Sequence, residues 1–171
     1  MARKAIILLI ILITIAFIVY RILGGSQDLA YEIEELPAMK IAGHDYKGRP
    51  GSPDVKKWFM RARDISSFSE GDRLVLISYG TEQEMDTLRQ FIGSEDISYA
   101  AHDSVMVRSM DAARYVSVEL NMNALVRPAP GKIRKDAQDF AQGHGEDIAD
   151  WNIEIYLSET DLLILFPLVE N

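Results

Sequence analysis

WNIEIYLSETDLLILFPL, residues 151–168, decides how this chain folds. Two apolar runs flank the polar stretch Ser158–Asp161, which reads as two strands joined by a turn. Successive strand residues point to opposite faces, so Ile153, Ile155 and Leu157 share one face and Glu154 and Tyr156 the other. The first face wants a core. The second carries a carboxylate, and alternation alone leaves it open between solvent and a ligand site. If helices cover the Ile/Leu face, the Glu/Tyr face lines a concave site. A carboxylate flanked by aromatic rings suits a cationic organic guest, through charge pairing and cation–π attraction. A partly desolvated glutamate also has a raised pKa and is fit for proton transfer. Trp151 precedes the strand, and Tyr46 and Tyr115 lie on strands able to neighbour it. All three join Glu154 and Tyr156 as candidate ligand-binding residues, although aromatic residues in strands also serve packing.

At the other end, residues 5–20 (AIILLIILITIAFIVY) carry no charge. Sixteen residues at helical rise span roughly 24 Å, and Ile22 and Leu23 extend the segment toward a ~30 Å hydrocarbon core if Arg21 snorkels. A cleaved signal peptide is the competing reading: Arg3 and Lys4 supply its basic start, but Arg21-Ile-Leu-Gly-Gly is a poor cleavage site. The expectation is an uncleaved transmembrane anchor over residues 1–23, meeting the lipid bilayer through residues 5–23. Basic residues ahead of it predict a cytoplasmic N-terminus and a C-terminal domain outside the cytoplasm, a single-pass cell membrane protein. GGSQD opens a short flexible linker, 24–30, and the domain proper runs from 31 to 171.

The 171 residues are about one domain's worth of chain, 48% hydrophobic and 26% charged. From residue 24 on, all 26 acidic residues stand against 15 of the 18 basic ones, since Arg3, Lys4 and Arg21 come earlier; the balance is −11. That repels phosphate backbones, so no nucleic-acid partner is expected. Without cysteine there is no disulfide framework and no thiolate metal site. His44, His102 and His144 stand far apart with no metal-binding spacing, so no metal is expected. No glycine-rich phosphate loop and no serine-nucleophile motif is present. No cofactor is expected, and Glu154 alone is a candidate for catalysis.

Between the ends the elements are marked by their breakers. YEIEELPAMKIAGHDYKG (31–48) alternates but is broken by Pro37, so it is one bulged strand or two short ones. Ser52 is a helix N-cap with Pro53 in the first helical position, and Val55, Trp58, Phe59, Ala62 and Ile65 give that helix an apolar stripe. RLVLISY (73–79) reads as a strand. Thr81 and Glu84 form a capping box, and Met85, Leu88, Phe91 and Ile92 predict a helix that Gly93 ends. Residues 96–121 read as two or more strands. A turn at RPAPG introduces a helix over 131–143 with the stripe Ile133, Ala137, Phe140 and Ala141. Strand, Pro-Gly turn, helix and strands thus occur twice, a weak internal repeat. It predicts an α+β fold of two βαββ-type halves, an antiparallel sheet with packed helices.

EELPAMKIAG, the proline-turn helix with its tryptophan, and the ending IEIYLSETDLLILFPL together resemble the GyrI-like, or effector-binding, domain of the SOUL/GyrI superfamily. The resemblance covers roughly residues 31–171. It implies two βαββ halves around a central groove, with the glutamate of the E-x-Y strand, here Glu154, lying in the groove beside Tyr156 and binding cationic or lipophilic molecules. Some members of that family are drug sensors fused to DNA-binding domains, some inhibit gyrase, and some hydrolyse strained electrophiles with the groove glutamate. The leading expectation is therefore a bacterial, membrane-anchored small-molecule-binding domain, a multidrug binder for cationic or amphiphilic ligands. The alternatives are a hydrolase of small reactive electrophiles that uses the same glutamate, and a protein-interaction inhibitor. The helical reading of residues 81–93 departs from the hairpin the family would place there.

Overall fold

The computed structural model describes residues 2–66, 71–80, 87–101, 105–111 and 113–169. In chain order these form α1 (Ala2–Ile22), β1 (Tyr31–Leu36), β2 (Met39–Gly48), α2 (Pro53–Ile65), β3 (Leu74–Tyr79), β4 (Leu88–Ser94), β5 (Met106–Met110), β6 (Ala113–Asn121), α3 (Pro130–Gly143), β7 (Trp151–Tyr156) and β8 (Asp161–Pro167). Short 3₁₀ turns cover Ile97–Ala101 and Ala124–Val126. The strands make one sheet, antiparallel throughout, in the order β1-β6-β8-β7-β3-β4-β2-β5.

That order requires the sheet to curl. Pro37 does split the first alternating stretch in two, and the halves go to different places: β1 pairs with β6, and β2 with β4 and β5. A link of two residues reaches at most about 11 Å between Cα atoms. Six strand spacings on a flat sheet would need roughly 28 Å. A second short link, between β5 and β6, ties the same two ends together. The faces agree, because Ile41, Val75, Ile77, Phe91, Tyr115, Ile153, Ile155 and Leu165 from six strands form a single buried cluster. No helical residue among those described belongs to it.

Both α2 and α3 pack on the other face. Val55, Trp58, Phe59 and Ala62 of α2 lie against Leu74, Leu76 and Ile92. Ile133, Ala137, Phe140 and Ala141 of α3 lie against Val116, Val118, Leu120, Leu162, Ile164 and Phe166. This corrects the expectation that helices cover the Ile153/Ile155 face. That face is buried by the sheet curling onto itself, and the helices stand on the side of Glu154 and Tyr156. The mixed α/β composition and the antiparallel sheet are as expected.

The helix from Pro53 begins as its sequence predicts, with Ser52 Oγ accepting from the Val55 amide at 3.4 Å. Leu88–Ser94 is a second correction. It is a strand between β2 and β3, not a helix; Thr81, Glu84 and Met85, which suggested the helix, lie outside the described residues. Phe91 and Ile92 are adjacent and both fully buried, because a central strand covered on both faces needs apolar residues in succession. Gly93 is no helix stop. It stands opposite Gly43, and a Cβ on it would lie 2.3 Å from the Ala42 carbonyl oxygen.

α1 is exposed from Lys4 to Ile22, where its mean hydropathy is 2.9, long and apolar enough to cross a membrane. Within residues 24–30, Gly24, Gly25 and Gln27 form hydrogen bonds. Gly24, with φ +87°, and Gly25 donate to Arg21 and Tyr20 carbonyls at 3.1 and 3.0 Å, the paired bonds of a Schellman cap.

Candidate functional site

Strand β7 sits in mid-sheet, with Leu76 of β3 and Ile164 of β8 flanking Glu154. The same face holds a short polar row on neighbouring strands. Ser78 lies opposite both Asn152 and Gln90, and the Gln90 amide donates to Ser78 Oγ at 3.0 Å. Asn152 and Tyr156, two residues either side of Glu154, both donate to its carboxylate at 3.5 Å. Strand alternation is the whole cause of this grouping.

Above that row is a cavity of about 820 Å³. Its apolar wall is made by Leu120, Ile133, Leu162, Ile164 and Phe166, and its polar part by Ser78, Gln90, Asn152, Glu154 and Tyr156. The RPAPG turn and the start of α3 form one side and bring Arg127 and Arg134 to it. Both guanidinium groups are tied to backbone. Arg127 donates to the Met122 and Thr160 carbonyls at 3.3 and 2.9 Å, and Arg134 to the Ala149 carbonyl. Tyr156 also walls a smaller hollow of about 190 Å³ beside Phe59, whose ring meets it edge-on at 5.7 Å.

Burial pushes the Glu154 carboxyl above the ordinary glutamate range, against the opposing pull of the Asn152 hydrogen bond, the Arg127 charge and the Tyr156 hydrogen bond. Burial, then the charge of Glu154, pushes the Tyr156 phenol up as well, so it remains a neutral donor. Among the described residues no basic side chain forms an ion pair with Glu154. The carboxylate accepts two long hydrogen bonds and keeps accepting capacity toward the cavity.

Of the five candidate ligand residues, Glu154 and Tyr156 line this cavity, and Trp151, Tyr46 and Tyr115 do not. Tyr115 is 2% exposed within the opposite cluster. Trp151 packs on the edge of that cluster, with its ring 6.4 Å from Tyr79. Tyr46 anchors the turn before α2, bonding the Arg49 carbonyl at 2.9 Å and Ser52 Oγ at 2.6 Å. His44 stacks on Trp58 at 3.8 Å, and His144 closes α3 against the Phe140 carbonyl; His102 lies outside the described residues. Among the described residues no group of three or more His, Asp or Glu is placed to hold a metal. Sequence reasoning missed Ser78, Gln90, Asn152, Arg127 and Arg134. Asn152 was findable, since it shares Glu154's parity on the same strand.

No family model matches the chain, and no curated protein matches it significantly. Solved structures do. The C-terminal domain of EcmrR matches with TM-score 0.55 at 12% identity, covering 85% of this chain and 100% of that one. SAV2435 bound to tetraphenylphosphonium matches with TM-score 0.51 at 13% identity, covering 82% and 94%. A hydrolase from Listeria innocua matches with TM-score 0.52 at 13% identity, covering 81% and 91%. At these identities the likeness is one of fold alone, shared with the C-terminal domain of EcmrR and with a protein solved bound to an organic cation.

Proposed function

We propose that this chain is a membrane-anchored small-molecule-binding protein. Its domain is two βαββ halves, β2-α2-β3-β4 and β6-α3-β7-β8, enclosing a groove whose central group is Glu154. The ligand is a cationic or amphiphilic organic molecule. Glu154 carries the proposal: a desolvated carboxylate, without an ion pair among the described residues, at a cavity with apolar walls. A bound cation compensates the charge that burial disfavours. The cavity's size is that of small-molecule sites, roughly 300–1,000 Å³. Arg127 and Arg134 repel a compact cation, so a guest whose charge is spread over a large apolar body fits better. A protein of the same fold solved with tetraphenylphosphonium supports that class of guest.

The test is a titration of the full chain in detergent with tetraphenylphosphonium, Glu154→Gln beside the unmodified protein. Losing one partner of a desolvated charge pair costs about 2 kcal/mol or more, roughly thirtyfold in Kd. Equal binding by both would remove Glu154 from the site. The anchor is α1, with Arg3 and Lys4 keeping the N-terminus in the cytoplasm and the domain outside it. A C-terminal reporter active only outside the cytoplasm checks that topology, and an inactive reporter would reverse it.

One observation favours a second reading. Glu154 and Tyr156 face one cavity with proton affinities raised by burial, a pairing suited to acid–base work on a small electrophile. A neighbour in fold is a hydrolase. Turnover of a strained electrophile that vanishes in Glu154→Gln would separate catalysis from binding.

A further inference from the structure

The end of α1 is fastened to the rim of the Glu154 cavity. Its Schellman cap leaves the Leu23 carbonyl to accept the Asn123 amide at 2.9 Å. Gly24 lies so close to the end of β6 that a Cβ would sit 2.8 Å from Met122 Cβ and 2.9 Å from the Asn121 oxygen. Gln27 holds the strand from the other side, donating to the Glu119 carbonyl at 3.3 Å and accepting from the Asn121 amide at 2.9 Å. Asn123 then caps the 3₁₀ turn Ala124–Val126, its Oδ1 accepting from the Leu125 amide at 3.0 Å. Ala124 and Arg127, before and after Leu125, line the cavity.

Leu125 itself is 87% exposed, more than any other exposed large hydrophobic residue described, α1 included. Its Cα lies within about 8 Å of the Asn123 Cα, two residues away. The 19 residues Lys4–Ile22 span roughly 28 Å as a helix, close to the ~30 Å hydrocarbon core, which sets Leu23 at its boundary. Tyr20 and Arg21 stand at the same level, residue types that favour the headgroup layer. That layer adds roughly 5–8 Å on each side. The 3₁₀ turn follows directly on Asn123, which is one hydrogen bond from Leu23, so it starts at that level.

We propose that the mouth of the cavity is held against the bilayer surface, with Ala124–Val126 in the headgroup layer and Leu125 reaching the acyl boundary. The ligands are then amphiphiles that pass from the leaflet into the cavity, apolar body toward Ile164 and Phe166 and charged head toward Glu154. This rests on two readings above, that α1 spans the bilayer and that the cavity binds organic cations.

The chain has no cysteine, so one introduced cysteine is the only thiol to label. Bimane is placed on Ile13→Cys, Leu125→Cys and Glu35→Cys of the full chain in phosphatidylcholine–phosphatidylglycerol vesicles containing a nitroxide lipid. Glu35 is exposed and pairs with Arg114, seven residues up β6 from Asn121, or roughly 23 Å along the strand. Quenching at 13 and 125 but not at 35 is expected. Quenching at 13 alone would leave the anchor standing and overturn the apposed mouth. Quenching at none would overturn both, and equal quenching at 35 and 125 would mean a domain lying flat with no directed mouth. Leu125→Asp is expected to lose vesicle-borne uptake of a fluorescent lipophilic cation while binding it unchanged in detergent. Glu154→Gln is expected to lose binding in both while a label at 125 remains quenched. Unimpaired uptake by Leu125→Asp would overturn the leaflet route, and full binding by Glu154→Gln would overturn the ligand reading alone.

Discussion

Tyr156 donates its hydroxyl to Glu154 Oε2 at 3.5 Å, at the outer limit of a hydrogen bond, with Asn152 equally far from the other oxygen. The site therefore holds its carboxylate loosely, and burial dominates its titration.

Because folding raises the Glu154 pKa above the ordinary glutamate value of 4.5, folded chains bind more protons than unfolded ones between that pH and the folded value. Stability contributed by the protonated carboxyl is full below pH 4.5 and is lost as pH rises through the folded value. Cation affinity should follow the opposite course, rising over the same interval. Thermal melts and titrations of unmodified protein and Glu154→Gln across pH 4–9 check both, and the variant should be flat in this component.

Tyr156→Phe removes a hydrogen bond that favours the carboxylate. The midpoint for cation binding should move to higher pH, while the ring contact with Phe59 keeps the fold intact. A stability change within about 1 kcal/mol is expected for so long a bond. A midpoint that stays put would mean the hydroxyl does not act on Glu154.

Gly93→Ala tests the crowding between β2 and β4. Its Cβ meets the backbone oxygen of Ala42, not a flexible side-chain end, so the strands must separate. A loss of roughly 2–3 kcal/mol by chemical denaturation is expected. Gly143, in open space, should tolerate the same change with little cost.

Ala129 occupies the N-cap of α3 and offers no side-chain hydrogen bond, although Pro130 follows it in the first helical turn. Ala129→Ser should stabilise the protein by about 1 kcal/mol, read as a raised melting temperature.

Much of this was legible because breakers and alternation act locally. Pro37, Ser52-Pro53 and the SETD turn each stand at an element boundary, and Glu154 and Tyr156 share a face as their parity requires. Parity also places Trp151 with Ile153, away from Glu154, so that residue was separable by counting alone. Which face the helices cover was not legible, since it depends on the closure of the sheet over strands far apart in sequence. Nor was β4, whose spacing of Leu88, Phe91 and Ile92 suits a helix as well as a strand buried on both sides. Arg127 and Arg134 reach the cavity only through tertiary packing.

The curl of the sheet also has a consequence during synthesis. Among the described strands β1 pairs with β6 alone, and Ser117, whose hydroxyl bonds the Glu32 carbonyl, is made 85 residues later. At about 5–20 residues per second that is roughly 4–17 s on the ribosome. Through that interval β1 is a strand without a partner. Glu32, Glu34 and Glu35, half its six residues, keep the waiting edge from pairing with another chain until its own partner arrives.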